Sequence, residues 1–169
     1  PPELWKSDGT AGGTAMLKSA SFIENLVNVN GELFFTAAED AVPYHRLWKT
    51  DGSAAGTVLV KDIWAGAGNS YFAKFFNSNG TLFFTANDGV NGEELWKSDG
   101  TAVGTVQVAN LDVSYSSDPY NLSVFKNEVY FIIGGALFKS DGVTTLKISP
   151  ENYGVSGSLI GSGNYLYFN

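Results

Sequence analysis

Cysteine is absent from this 169-residue chain, so neither a disulfide nor a thiolate metal site can form. Histidine is almost absent. His45 stands alone, and an imidazole acid/base mechanism would rest on it without support. No Gly-x-Ser-x-Gly nucleophile turn and no P-loop occurs. No pair of carboxylates stands out for glycoside chemistry. Basic residues are scarce: 10 Lys+Arg face 17 Asp+Glu, a formal charge of −7. That balance argues against nucleic-acid partners, whose affinity comes mainly from Lys and Arg, and against anionic membrane surfaces. No run of about 18 consecutive apolar residues exists, so no membrane-inserted helix is expected. A 3.6-residue apolar period is missing as well, which predicts almost no helix.

What is present is apolar and aromatic. Hydrophobic residues make up 44% and aromatics 14% of the chain, too much for a disordered segment. A chain of this length buries roughly 70% of its unfolded surface. The chain starts Pro1-Pro2, with neither an initiating Met nor a signal peptide. It reads as a mature form or as a piece of something longer.

An internal repeat dominates the sequence. Leu4-Trp5-Lys6-Ser7-Asp8-Gly9-Thr10 recurs as Leu47-Trp48-Lys49-Thr50-Asp51-Gly52-Ser53, Leu95-Trp96-Lys97-Ser98-Asp99-Gly100-Thr101 and Leu137-Phe138-Lys139-Ser140-Asp141-Gly142-Val143. Successive aromatics of the motif lie 43, 48 and 42 residues apart, close to the period of about 40–50 residues seen in propeller blades. A second aromatic run accompanies each copy: Leu33-Phe34-Phe35, Leu82-Phe83-Phe84, Val129-Tyr130-Phe131 and Leu166-Tyr167-Phe168. An Asn precedes each of these runs (Asn30, Asn79, Asn127, Asn164) and marks a tight hairpin turn. A third run follows each Asp-Gly, as in Thr57 to Ile63, and a fourth precedes each Asn turn.

Each repeat therefore reads as four short strands. The Phe-rich strands are apolar on both faces, so both faces must meet protein. Four-stranded sheets packed face to face around an axis satisfy that demand. The expected fold is an all-β propeller of four four-stranded blades forming one domain over 1–169. Its blades fall at about 19–63, 64–111, 112–148, and 149–169 plus 1–18. In the last blade, two C-terminal strands would join two N-terminal ones and close the ring. The alternative is a four-repeat arc of a larger propeller.

The copies at 3–10 and 94–101, Glu-Leu-Trp-Lys-Ser-Asp-Gly-Thr, with Gly-Thr following at 13–14 and 104–105, resemble the ELWxxDGT repeat family. The last copy departs from the pattern at Phe138 and Val143 and lacks the second Gly-Thr. The resemblance implies a bacterial, secreted or surface-attached repeat protein, longer than this chain, with no catalytic residues to carry over.

Site candidates follow from the repeat. Trp5, Trp48, Trp96 and Phe138 are expected to wedge between blades, the alternative being one sugar-stacking ring per blade. Asp8, Asp51, Asp99 and Asp141 are expected to accept backbone N–H groups of their own turns. Lys6, Lys49, Lys97 and Lys139 are expected to pair with these aspartates, within or between blades. No cofactor is expected, with the loop from Asn87 to Glu94 (Asp88, Asn91 and Glu93) the one candidate for Ca²⁺. Asn79-Gly80-Thr81 and Asn121-Leu122-Ser123 match the glycosylation sequon. The leading functional expectation is a non-catalytic extracellular or cell-surface module that meets protein partners or surfaces. A lectin-like glycan binder, using loop aromatics such as Tyr44 or Tyr115, comes second. A carboxylate hydrolase comes last.

Overall fold

A computed structural model describes residues 1–39, 42–66, 68–111, 116–149 and 154–169. Among them there are strands and turns and no helix. Two strands, β1 (Glu3–Lys6) and β2 (Ala15–Ser19), form a first hairpin. Three four-stranded antiparallel sheets follow in chain order. The first holds β3 (Phe22–Val29), β4 (Glu32–Glu39), β5 (Val42–Thr50) and β6 (Val58–Lys61). The second holds β7 (Ala73–Ser78), β8 (Thr81–Asn87), β9 (Glu93–Ser98) and β10 (Val106–Ala109). The third holds β11 (Tyr120–Phe125), β12 (Glu128–Ile133), β13 (Ala136–Ser140) and β14 (Thr145–Lys147). A last hairpin pairs β15 (Ile160–Ser162) with β16 (Tyr165–Tyr167).

The turns between first and second strands use left-handed backbone, as the Asn signal implied. Asn30 and Gly31 have φ of 54° and 88°, and Asn79 and Gly80 have 50° and 79°. Such paired positive φ values suit two-residue hairpins. The third repeat is shifted by one residue: Lys126 and Asn127 form its turn, so Asn127 sits where Gly31 and Gly80 do. The fourth turn is Gly163-Asn164, with Asn164 also in the second position.

Strand periodicity explains how the sheets stack. Successive side chains point to opposite faces, and adjacent aromatics of the second strand serve two different interfaces. Phe35 packs with Leu4 and Leu17 of the first hairpin, while Phe34 packs with Phe84 and Trp96 of the second sheet. Phe83 packs with Phe131 and Val129 of the third sheet. Tyr130 and Ile132 pack with Leu159 and Leu166 of the last hairpin. The third strand obeys the same rule. Leu4, Leu47, Leu95 and Leu137 face the following sheet, while Trp48, Trp96 and Phe138 face the preceding one.

The expected blade that closes the ring is not formed. β1–β2 and β15–β16 are separate two-stranded sheets, with no ladder between them among the described residues. Each hairpin is held by the four-stranded sheet next to it in sequence. Trp5, which would face a preceding sheet, is accordingly 54% exposed, whereas Trp48 and Trp96 are each 7% exposed.

Candidate functional site

The repeated Asp-Gly loop is saturated by its own hydrogen bonds. In the second sheet, Asp99 Oδ1 accepts the Thr101 N–H at 2.8 Å and the Thr101 hydroxyl at 2.8 Å. The Gly104 N–H donates to Thr101 Oγ1, and Thr105 Oγ1 donates to the Thr101 carbonyl. Ser98 Oγ accepts the Gly100 N–H and pairs with Thr105 Oγ1. The loops at Asp8 and Asp51 repeat this network through Thr10 and Ser53. Asp141 lacks the hydroxyl and instead accepts two N–H groups, from Val143 and Thr144.

These bonds favour the ionised carboxylate. The Thr10 hydroxyl holds Asp8 below the ordinary carboxylate range, the Ser53 hydroxyl does so for Asp51, the Thr101 N–H for Asp99 and the Thr144 N–H for Asp141. The second glycine of the motif is fixed by packing. A Cβ at Gly104 would lie 2.1 Å from the Asp99 carboxyl.

The motif lysines act between sheets as well as within them. Lys6, Lys49 and Lys97 lower the pKa of Asp51, Asp99 and Asp141 in the following repeat. Lys49 also pairs with Glu32 at 2.9 Å, and Lys139 with Glu128 at 2.8 Å. The first glycine of each turn completes the contact. Gly100 and Gly142 each have φ of 88°, and a Cβ there would meet Phe34 Cζ at 3.1 Å and Phe83 Cζ at 3.0 Å. Each glycine thus admits an aromatic from the preceding sheet.

Two further devices were not read from sequence. Asn25, Lys74 and Asn121 occupy one bulge position in successive first strands, with φ of 57°, 55° and 51°. Each side chain reaches a carbonyl at the entrance of the next sheet: Phe72 at 3.4 Å, Pro119 at 2.5 Å, and Ser156 and Gly157 at 3.1 and 2.6 Å. The mixture of Asn and Lys hides the position in the sequence. The second device uses fourth-strand lysines. Lys18 lies 3.7 Å from the Trp48 ring centroid, and Lys61 lies 5.9 Å from that of Trp96 while donating to the Ala102 and Thr105 carbonyls. Although it stands on an edge strand, Lys61 ties two sheets together.

The calcium candidate is folded in on itself. Asp88 Oδ1 accepts the Val90 and Asn91 N–H groups, and Oδ2 accepts Asn91 Nδ2. Asn91 Oδ1 accepts Asn110 Nδ2, and Glu93 pairs with Lys74 at 3.4 Å. Among the described residues no group of three or more His, Cys, Asp or Glu side chains comes together. His45 lies against the Phe22 ring at 5.2 Å. Tyr115 lies outside the described residues.

Open clefts lie at the two terminal hairpins, and others lie at Lys74, Phe75, Phe76, Asn121 and Leu122 (about 370 Å³) and beside Lys97 and Asp99 (about 270 Å³). Gly157, Ser158, Ile160, Tyr167, Phe168 and Asn169 line an open cleft of about 450 Å³. Lys6, Ser7, Asp8, Gly12, Gly13 and Ala15 line another of about 370 Å³. Trp5, Met16, Ile160, Tyr165, Tyr167 and Phe168 are exposed large hydrophobic residues on these two hairpins or directly beside them.

No family model matches the chain, and no curated protein matches it. Among solved structures it is similar to the crystal structure of the tricorn protease, at 15% identity and a TM-score of 0.43. That alignment covers 98% of this chain and 16% of the protease chain, so the chain spans about a sixth of that protein's length.

Proposed function

We propose that the chain is a non-catalytic repeat module, an arc of a β-propeller, that presents rigid sheet and loop surfaces to protein partners or other surfaces outside the cell. One observation carries the reading. The repeated polar residues that could do chemistry are occupied in holding turns and joining sheets, as at Asp99, whose carboxylate is bonded to Thr101. A general-acid carboxyl needs its pKa raised towards neutrality, and the motif aspartates are pushed the other way. The extracellular and bacterial setting follows from the resemblance to ELWxxDGT repeats, and the acidic charge suits partners other than nucleic acid.

The test is binding of the purified chain to intact bacterial cells, measured by surface-sensor titration before and after treatment of the cells. Saturable binding lost after protease treatment supports a protein partner. Binding lost only after periodate oxidation of glycans transfers the assignment to a lectin. Absence of saturable binding overturns the reading.

A further inference from the structure

All three four-stranded sheets carry a motif lysine on the third strand, and two of them supply it with a carboxylate. Glu32 opens β4 and pairs with Lys49 at 2.9 Å. Glu128 opens β12 in the same way and pairs with Lys139 at 2.8 Å. In the second sheet that place belongs to Thr81, the first residue of β8. Among the described residues no carboxylate forms an ion pair with Lys97, and the Thr81 hydroxyl makes no hydrogen bond. An open cleft of about 270 Å³ lies there instead, lined by Thr81, Lys97, Asp99, Val103, Gly104 and Val106. We propose that this cleft receives the carboxylate of one acidic side chain, Glu or Asp, from a protein partner. The proposal rests on reading the chain as a binding module for proteins.

Lys97 is placed as its paired counterpart is. A Cβ at Gly142 would meet Lys97 Cδ at 3.3 Å, and one at Gly100 would meet Lys49 Cδ at 3.5 Å. Both stems therefore run over the turn glycine of the following sheet. Lys97 acts on Asp141 from beyond ion-pair range, just as Lys49, already paired with Glu32, acts on Asp99. Nor does the aspartate beside the cleft bar a guest. Asp51 and Asp141 stand two residues after Lys49 and Lys139, and the Glu32 and Glu128 pairs form all the same. Asp99 Oδ1 is in any case occupied by the Thr101 N–H and hydroxyl. A guest carboxylate has two oxygens, one for the lysine ammonium and one for the Thr81 hydroxyl to donate to.

The approach is open because the following sheet is trimmed. Residues 99–105 join β9 to β10, whereas 141–144 alone join β13 to β14. Lys61 of the first sheet crosses to the Ala102 and Thr105 carbonyls of the longer loop. Ala109 holds the corresponding place in the second sheet, opposite Leu95 as Lys61 is opposite Leu47, and its methyl cannot cross. The cleft is also smaller than the roughly 300–1,000 Å³ of small-molecule pockets. Its lining residues include no aromatic ring on which a sugar would stack. Size and chemistry suit a single acidic side chain, the group that Glu32 and Glu128 supply from within.

The test is NMR titration of the purified chain with two blocked peptides, Ala-Ala-Glu-Ala-Ala and Ala-Ala-Gln-Ala-Ala. The glutamate peptide should shift the Thr81 and Lys97 amide signals saturably. Its affinity should exceed that of the glutamine peptide about tenfold, a preference that shrinks as salt screens the charges. Thr81→Glu supplies the carboxylate internally, as Glu32 does, and should abolish the shifts while the rest of the spectrum stays folded. Lys97→Gln should erase the preference for glutamate. Equal shifts from both peptides, or binding that persists in Thr81→Glu, overturn the proposal. So does saturation of these signals by galacturonate but not by the glutamate peptide, which transfers the cleft to an acidic glycan. Failure here is distinct from failure of the module reading. The first shows as no glutamate preference with cell binding retained, the second as no cell binding at all.

Discussion

Trp96 and Trp5 occupy the same place in the same motif, and their surroundings differ almost completely. Trp96 lies between two sheets, with Phe34 and Leu47 against it and its indole N–H donating to the Ala86 carbonyl at 3.1 Å. Trp5 stands on an open hairpin, and its indole N–H donates to Glu3 of its own strand at 3.0 Å. The motif supplies the ring, but burial depends on a second strand alongside and a preceding sheet behind. A repeat residue therefore has no fixed energetic value, because its neighbours in the stack set it.

Four experiments sharpen that contrast. The largest difference is expected from truncating the two tryptophans. Trp96→Ala should lower stability by about 3–5 kcal/mol, and Trp5→Ala by no more than about 0.5 kcal/mol. Urea unfolding measures both, and equal losses would break the comparison. Next come the turn glycines. Gly52→Ala carries only the backbone penalty of a left-handed alanine, about 1–2 kcal/mol. Gly100→Ala adds a contact with Phe34 and should cost about 1–3 kcal/mol more. Smaller still, Asn121→Gly keeps the positive φ and removes the donor to Ser156 and Gly157, a loss of about 1 kcal/mol. Loosened protection of the last hairpin in hydrogen exchange should accompany it.

The smallest effect is that of pH. The motif aspartates have folded-state pKa values below the ordinary value of 3.8. Their contribution is therefore present above that value and lost as the pH falls through the folded-state values. Thermal unfolding should be insensitive to this group down to about pH 4 and decline below it. Asp99→Asn should flatten part of that decline, and an unchanged slope would remove Asp99 from the account.

Much of this architecture was readable in advance. Two-sided apolar strands such as Leu33-Phe34-Phe35 forced sheet-on-sheet packing, and Asp-Gly and Asn-Gly located the turns. The readable features were those in which one residue type does one local job. What stayed hidden depends on contacts between repeats. The bulge at Asn25, Lys74 and Asn121 uses two side-chain types for one task, so no motif marks it. The need for glycine at Gly100 is half backbone and half an aromatic ring some 66 residues earlier in the chain. The one-residue shift at Lys126-Asn127 looked like the Asn-Gly turns because either turn position accepts Asn. Ring closure was inferred by counting strands, and a strand count cannot tell which edges actually meet.

The back-to-back arrangement of Phe34 and Phe35 also limits how such a chain can change over generations. A single residue inserted within β4 would send every later ring in that strand to the wrong side, emptying one seam and crowding the other. Length variation therefore falls at strand ends and in the connecting loops, as the unequal lengths of β4, β8 and β12 show, and new material that enters the stack must arrive as whole repeats with the reading frame of the pleat preserved.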